Sequence, residues 1–255
     1  MTSALMEPSP VPKMEKPDSV AFLVPTRNRV PGVVRFINSI INTTSDIERV
    51  CIYFYVDEDD TSSQQFFSEL EGNNRYKDLV KYKIGPRIIL SQMVNELYPL
   101  TKESILYFGA DDLEMKTEGW DRILYKFFAQ LSDNIAVAFA DDLATFQHPE
   151  GLATHPIFHR DWVNVLGYVS PPYFACDYAD TWLSDLAKGV NRLFKLPFIN
   201  EHHHFSVNKS PYDSTYAESR NKFVEQGVTQ KYMDTEEERQ QDIQKLKKYM
   251  RGFSK

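Results

Sequence analysis

Three clusters of carboxylates follow short apolar runs, and these are the residues whose types and spacing best suit chemistry. They lie at 57–60, 111–112 and 141–142. A single cluster of this kind is usually a turn or a helix N-cap, because aspartate favours both. Three clusters at one sheet edge would repel one another unless a cation or basic groups offset their charge. Carboxylate oxygens combined with phosphate suit Mg²⁺ or Mn²⁺, so the pattern indicates a cation site.

Asp111 and Asp112 form the best-defined of these clusters. They follow the apolar run 105–108 and Gly109, which lets the backbone turn tightly where a strand ends. A strand held within a sheet would fix the direction of both carboxylates. We therefore expect this pair to lie at the edge of a sheet, in a position to bind a cation.

Three arginines occur in polar loops that follow predicted strands. Arg27 and Arg29 lie in one loop, and Arg87 follows Gly85 and Pro86. A guanidinium group can bind a diphosphate through two parallel hydrogen bonds. The alternative is that these are surface arginines paired with the acidic clusters. For Arg87, whose position the neighbouring glycine and proline restrict, we favour the binding role.

Half of the histidines are consecutive, at 202–204, after an apolar run. Side chains alternate between the two faces of an extended segment, so His202 and His204 should point one way and His203 the other. Two such imidazoles can bind a metal together, or one can bind a metal while the other contacts phosphate. A solvent-exposed run of histidines is the alternative.

Alternating strands and helices must position these groups. Apolar runs predict strands at 20–24, 50–56, 79–84, 105–108, 135–140 and 193–199, and helical spacing predicts helices near 33–41, 66–70, 88–97, 120–131, 177–187 and 235–249. This order predicts an α/β fold with a mostly parallel central sheet flanked by helices on both faces. Ligands of such sheets bind beyond the carboxyl ends of the strands, which is where the acidic clusters lie.

The composition is that of a globular protein with an acidic balance. The chain has 255 residues, of which 36 are acidic and 29 basic, so the formal net charge is −7. This balance disfavours a protein that coats nucleic acid, since such binding needs a basic face. No run approaches the roughly 20 apolar residues of a membrane helix, so we expect no membrane insertion. The two cysteines form neither a disulfide framework nor a zinc-ligand set, and a cytoplasmic location is the default expectation.

The sequence divides into four parts by composition. Residues 1–17 are rich in proline and predict a disordered arm. Residues 18–142 carry the regular alternation and would bind the ligand, and 143–218 would complete the same domain with an acceptor-binding and catalytic portion. Residues 219–255 predict a charged, helical C-terminal tail.

Short motifs resemble those of the GT-A fold glycosyltransferases, particularly family 2 and its phage-encoded members. The motifs are VPTRNR at 24–29, VD at 56–57, YFGADD at 107–112, DTWL at 180–183, EHHH at 201–204, Lys209 and PYD at 211–213. Their joint order over roughly 18–218 carries the resemblance, because each motif alone is short.

The resemblance implies a binding site for a nucleotide-sugar donor and a metal ion, Mn²⁺ or Mg²⁺. The residues implied to bind the donor are Pro25, Thr26, Arg27, Arg29, Asp57, Arg87 and Asp111. Among them, Asp57 would accept a hydrogen bond from the nucleobase, Arg87 would contact the diphosphate, and Asp111 would contact the ribose or the sugar. Asp112 would bind the metal, with His202 or His204 as a further ligand.

The resemblance also implies a general base at the start of a helix. Asp180 occupies that position, and Asp177 is the alternative. The usual glutamate before the base is replaced by Ala179, which leaves the identity of the base and the inverting or retaining outcome open. The acceptor hydroxyl would belong to a DNA base such as a hydroxymethylated phage base, to a protein or to a glycan, in the host cytoplasm if the protein is phage-encoded.

Two other functions are compatible with the same residues. A nucleotidyltransferase also needs paired aspartates and Mg²⁺, but it normally has a glycine-rich phosphate loop, and the 10 glycines of this chain do not form one. A non-catalytic module could bind sugar or metal through the histidines and aromatic side chains. Residues Trp162, Tyr168, Tyr173 and Phe174 suit sugar stacking, although such residues are as often part of a core.

Overall fold

The computed structural model describes residues 18–144 and 151–253. The predicted N-terminal arm, 1–17, lies outside these residues. No helix within the described ranges is long and apolar enough to cross a membrane.

Eight strands of the described residues form one sheet. They are β1 (Val20–Thr26), β2 (Val50–Asp57), β3 (Val80–Gly85), β4 (Ile105–Phe108), β5 (Leu113–Met115), β6 (Val137–Asp141), β7 (Ile157–His159) and β8 (Leu193–His202). Their order across the sheet is β3-β2-β1-β4-β7-β6-β8-β5. Strands β1 to β4 are parallel to one another, and β6 is parallel to β8. The α/β fold predicted from the sequence is confirmed.

The sheet also contains two short antiparallel strands that the sequence does not predict. Strand β7 lies between β4 and β6 and is antiparallel to both, and β5 is antiparallel to β8. Each has only three residues. Such a segment is too short to show an alternating pattern, so its pairing depends on the surrounding sheet rather than on its own sequence.

Helices cover both faces of the sheet. They are α1 (Val30–Thr43), α2 (Thr61–Glu71), α3 (Leu90–Leu97), α4 (Trp120–Phe128), α5 (Arg160–Leu166), α6 (Ala179–Gly189), α7 (Ser214–Glu225), α8 (Val228–Asp234) and α9 (Glu236–Arg251). Helices α1, α2 and α4 pack on one face, and α3, α5, α6 and α9 pack on the other. Strands β1 and β2 are buried on both faces, which explains their continuous apolar sequence.

The aromatic side chains near α5 and α6 belong to the core. Trp162 and Phe174 are completely buried. The hydroxyl of Tyr168 accepts a hydrogen bond of 2.9 Å from Trp182 Nε1, and Tyr173 packs against the ring of Trp182. These aromatic side chains therefore pack in the core, as the second of the two interpretations from the sequence has it, rather than serving to stack on a sugar.

Helix α9 is packed into the face of the sheet that carries α5 and α6. Ile243 and Leu246 are buried there, as the apolar stripe of the sequence predicts. Arg239 is also buried, and its guanidinium group lies 3.9 Å from the ring centre of Tyr232 and 5.2 Å from that of Trp182. The helix thus contributes both apolar burial and a cation–π contact to this part of the core.

Replacing Leu246 by alanine is expected to lower the free energy of unfolding by about 2–5 kcal/mol, because it removes a completely buried side chain and leaves a cavity. Urea denaturation followed by circular dichroism measures the change. The matched control is Gln244→Ala on the exposed face of α9, which should change the free energy by less than about 0.5 kcal/mol. Equal stability of the two variants would mean that α9 does not contribute to the cooperative core.

Candidate active site

A cleft of about 320 Å³ opens at the carboxyl ends of β1, β2 and β4. Parallel strands end at the same edge of a sheet, so the polar residues that follow them meet there. The residues that the resemblance implies for the donor, the metal and the general base all line this cleft. They are Pro25, Thr26, Arg27, Arg29, Asp57, Arg87, Asp111, Asp112, Asp177, Asp180, His202 and His204.

The paired aspartates lie at the centre of the cleft and are buried. Thr26 Oγ1 donates a hydrogen bond of 2.7 Å to Asp111 Oδ2, and Tyr216 Oη donates one of 2.9 Å to Asp112 Oδ2. Arg29 Nη1 lies 3.4 Å from Asp111 Oδ1 and 3.8 Å from Asp112 Oδ2. Burial raises the pKa of Asp111 to about 6, despite the opposing charge of Arg29. Burial opposes ionisation of Asp112 as well, but its interactions with His202 hold its pKa well below the ordinary value.

Asp112 retains one oxygen that could bind a cation. Its Oδ1 is buried and has no hydrogen-bond partner of good geometry in the described part of the chain, and His202 Nε2 lies 3.3 Å from it. The two residues are brought together by the antiparallel register in which Leu113 of β5 pairs with His202 of β8. A buried carboxylate oxygen beside an imidazole nitrogen fits a divalent cation whose other ligands come from a phosphate group.

The histidines separate as the alternation of an extended segment predicts. His204 lines the same cleft, with its ring centre 5.1 Å from that of His202. His203 points away from the cleft, and its Nε2 lies 2.8 Å from Glu114 Oε2. Because the three rings do not converge, His202 and His204 are the two residues of this run that remain candidates for a metal in the cleft.

A second group of possible ligands lies outside the cleft. Glu114, Glu201 and His203 have ligand atoms within 4.8 Å of one another, and no other set of three among the described residues does. Lys116 Nζ lies 2.7 Å from Glu114 and 3.2 Å from Glu201, and Lys209 Nζ lies 2.8 Å from Glu201. The lysines already neutralise the carboxylates, so the arrangement is that of a surface ion-pair network.

Asp57 and Arg27 form the end of the cleft next to β2. Arg27 Nη1 donates a hydrogen bond of 3.0 Å to Asp57 Oδ2 and also pairs with Asp59. Asp57 is buried, and its Oδ1 has no partner among the described residues. Burial raises its pKa, and the bond to Arg27 opposes that shift. The site thus offers a carboxylate oxygen, Asp57 Oδ1, that is fixed in place beside the Arg27 guanidinium group and is able to accept a hydrogen bond.

Helix α7 and the residue before it cover part of the cleft, which sequence reasoning did not find. Asp213 accepts hydrogen bonds of 2.8 and 3.0 Å from Arg29, and Glu218 pairs with Arg87. The ring of Tyr216 lies 4.0 Å from the guanidinium carbon of Arg29. Asp213 also caps α7 by accepting from the backbone of Tyr216. An aspartate at a capping position can predict the start of a helix from sequence alone. No local pattern, however, indicates that this helix covers the cleft.

Asp180 also lines the cleft, from the first turn of α6. Its Oδ1 accepts a hydrogen bond of 2.7 Å from the backbone of Thr181, and burial raises its pKa to about 6. The residue before the helix, Tyr178, has a left-handed backbone with φ of 73°, a conformation that is costly for an aromatic residue. Asp177 pairs with Arg220 at 2.7 Å, and its side chain is 43% exposed. Asp180 is therefore the better-desolvated carboxylate.

The third acidic cluster does not line the cleft, contrary to expectation. Asp141 forms an ion pair of 2.8 Å with Lys195 on the neighbouring strand β8. Asp142 is buried behind His202, and its backbone carbonyl accepts a hydrogen bond from the backbone of His202. Asp141 is held by its ion pair with the neighbouring strand and Asp142 by burial, so neither residue is part of the cleft lining.

The chain resembles solved glycosyltransferase structures in fold. S. aureus TarS 1–349 in complex with UDP has a TM-score of 0.54 at 11% identity, over 71% of this chain and 57% of that chain. The same protein in complex with UDP-GlcNAc has a TM-score of 0.56 at 11% identity, over 79% of this chain and 64% of that chain. The mannosyltransferase PcManGT from Pyrobaculum calidifontis, in complex with GDP-Man and Mn²⁺, has a TM-score of 0.58 at 13% identity, over 74% of this chain and 58% of that chain.

These likenesses show the GT-A fold. The chain spans less than two thirds of the length of each of these structures. No protein-family model matches the sequence, and neither does any curated protein.

Proposed function

We propose that this protein is a metal-dependent glycosyltransferase that transfers a sugar from a nucleotide-sugar, most simply a UDP-sugar, to a hydroxyl group. The observation that carries the proposal is the shared cleft, which is lined both by the Asp111–Asp112 pair and by a desolvated carboxylate, Asp180. The fold that the chain shares with nucleotide-sugar complexes supports the same assignment.

The donor would lie along the edge of the sheet from β2 to β4. The unpartnered Asp57 Oδ1 would accept a hydrogen bond from an N–H group of the base, which uracil provides. Arg27, Arg29 and Arg87 supply positive charge for a diphosphate, and guanidinium groups bind such oxygens through two parallel hydrogen bonds. Asp111 would accept from a hydroxyl of the ribose or the sugar.

Asp112 and His202 would hold the metal ion, Mn²⁺ or Mg²⁺, with His204 close enough to take part. When bound, such an ion neutralises the charge of the departing diphosphate. The protein contributes the fixed direction of the Asp112 carboxylate, since Tyr216 holds its second oxygen. Burial of the pair keeps water away from the reacting groups.

Asp180 would act as the general base. The acceptor oxygen would form a bond to the anomeric carbon while the bond from that carbon to the diphosphate oxygen breaks. The hydroxyl proton would pass to Asp180, whose raised pKa makes it a stronger base than an exposed aspartate. The hydroxyl would belong to a DNA base, a protein or a glycan, and the order of motifs over 18–218 supports the phage-encoded group of these enzymes.

Incubation with a panel of UDP- and GDP-sugars and Mn²⁺ tests this function directly. We expect release of nucleoside diphosphate from at least one donor, and loss of that release when EDTA removes the metal. Donor binding without any release, even when DNA, protein and glycan acceptors are added, would instead favour the non-catalytic module. Release that is unchanged in EDTA would contradict the metal dependence.

Glu218 is expected to compete with the donor diphosphate for arginine. Its carboxylate pairs with Arg87 and lies 3.9 Å from Arg27. Glu218→Gln should therefore tighten UDP binding by about 2- to 5-fold, the range set by a partly exposed ion pair. Arg87→Ala should weaken it instead. Isothermal titration calorimetry measures both effects, and Glu225→Gln, an exposed residue at the end of the same helix, is the matched control. Weaker UDP binding by Glu218→Gln would show that Glu218 assists the donor rather than competing with it.

A further inference from the structure

A third histidine borders the cleft and takes no part in the function proposed above. His155 lies in the segment that precedes β7, and its ring packs edge to face on His202, with 4.7 Å between ring centres. Only 8% of the residue is exposed, yet it lines the cleft together with Asp112 and His202. It is therefore held against the residues that would bind the metal.

One nitrogen of His155 is unused. The ring forms a hydrogen bond with the backbone of Phe108, whereas Nε2 is buried and lacks any partner within 18–144 and 151–253. Leaving a buried polar atom unpaired is costly, so such an atom at the wall of a cleft indicates a missing ligand. A histidine that is anchored through one ring nitrogen and free at the other has the arrangement that metal-binding histidines usually show.

The groups around His155 suit a cation. Its ring contacts the imidazole of His202, and the carboxylate of Asp112 lines the same cleft. A cation bound there would be attracted by the imidazole lone pairs and by the charge of the carboxylate.

We infer that His155 Nε2 is a third protein ligand of the divalent cation at Asp112 and His202. This inference rests on the proposed function, because it concerns the same metal. The three donor atoms do not form a set within 4.8 Å of one another, so the side chains must close around the cation when it binds.

A site with at least two imidazoles and one carboxylate has a defined metal preference. Imidazole nitrogen suits Mn²⁺, Co²⁺ and Zn²⁺ better than Mg²⁺, which prefers oxygen ligands in strict octahedral geometry. We therefore expect the protein to bind Co²⁺ and Mn²⁺ more tightly than Mg²⁺, and His155 to be responsible for much of that difference.

The test is metal binding by a His155→Phe variant, in which a ring still packs on His202 but the nitrogen is lost. Both parent and variant carry His203→Ala, which removes the competing surface group at Glu114 and Glu201. Titrations with Co²⁺, followed by visible absorption, and with Mg²⁺, followed by calorimetry, are made with and without UDP. We expect the variant to lose Co²⁺ affinity by about 10-fold or more and to change the Co²⁺ spectrum, with a smaller loss for Mg²⁺.

Each result has a distinct meaning. A Co²⁺ spectrum and affinity identical in parent and variant would overturn the role of His155 and leave the proposed function intact. A parent that binds neither ion, with or without UDP, would overturn both. If His155→Phe does not fold, as judged by circular dichroism, His155→Gln replaces it, because glutamine retains polarity in a side chain of similar length.

Discussion

Asp112→Asn is expected to reduce sugar transfer by about 10³-fold, the size of effect found when one electrostatic stabiliser is removed from an active site. The substitution keeps the shape of the side chain and an oxygen for Tyr216, but it removes the charge that would hold the cation. Because donor binding would depend on that cation, Mn²⁺-dependent UDP binding should be lost as well. Measurements of diphosphate release and of UDP binding with and without Mn²⁺ follow both effects.

The control for this variant is Asp141→Asn. Asp141 also follows an apolar strand, but its partner is Lys195 at the surface. It should retain full transfer. Thermal melting of both variants separates lost chemistry from lost folding, which matters because Asp112 is a buried partner of His202 and Arg29. Full transfer by Asp112→Asn in a folded protein would remove the basis for a metal at this position.

Asp180→Asn should abolish transfer while leaving donor binding unchanged. Loss of a general base typically costs about 10²- to 10⁴-fold in rate. The hydrogen bonds of the Asp180 side chain within the described residues go to Thr181, so the amide would not disturb the groups that would hold UDP. Diphosphate release in the presence of acceptor and calorimetry with UDP measure the two properties. If Asp177→Asn were inactive and Asp180→Asn active, the base would be Asp177.

The pH profile gives a second measurement of the same role. A base must be deprotonated to act, and burial raises the pKa of Asp180 to about 6. The rate at low donor concentration should therefore rise as the pH increases through about 6 and then level off. Asp180→Asn should remove this rise from the residual activity. A rise that persists would instead belong to Asp111, whose pKa burial also raises to about 6.

The sequence predicted the parts of the site that depend on local pattern. Asp111 and Asp112 follow an apolar strand of a parallel sheet, and this position predicts that they reach the cleft. The faces of His202 and His203 likewise follow from strand alternation. Asp60 accepts from the backbone of Ser63 at the start of α2, as a capping residue should.

Contacts between distant segments could not be predicted in this way. Tyr216 donates a hydrogen bond to Asp112, which lies 104 positions earlier in the sequence. The hydrophobic periodicity of a sequence does not predict such a contact. His155 lies in an irregular segment, where neither helical nor strand spacing assigns its side chain a direction. The residues around Asp141 follow the same pattern as those around Asp111, but Asp141 forms an ion pair with Lys195 of β8 and does not line the cleft, and no local pattern indicates that contact.

The antiparallel pairing of β5 with β8 has a consequence for the order of folding. It joins Leu113 to His202. Asp112 and His202 therefore meet only after β8, the last strand in chain order, has paired with β5. Pairing over such a separation forms slowly, because a long loop must close first. In a nascent chain whose β8 has not yet been synthesised, Asp112 thus lacks the imidazole of His202 beside it. Under the proposed function, affinity for a divalent cation would therefore be acquired late, and its appearance during refolding would report that β8 and β5 have paired.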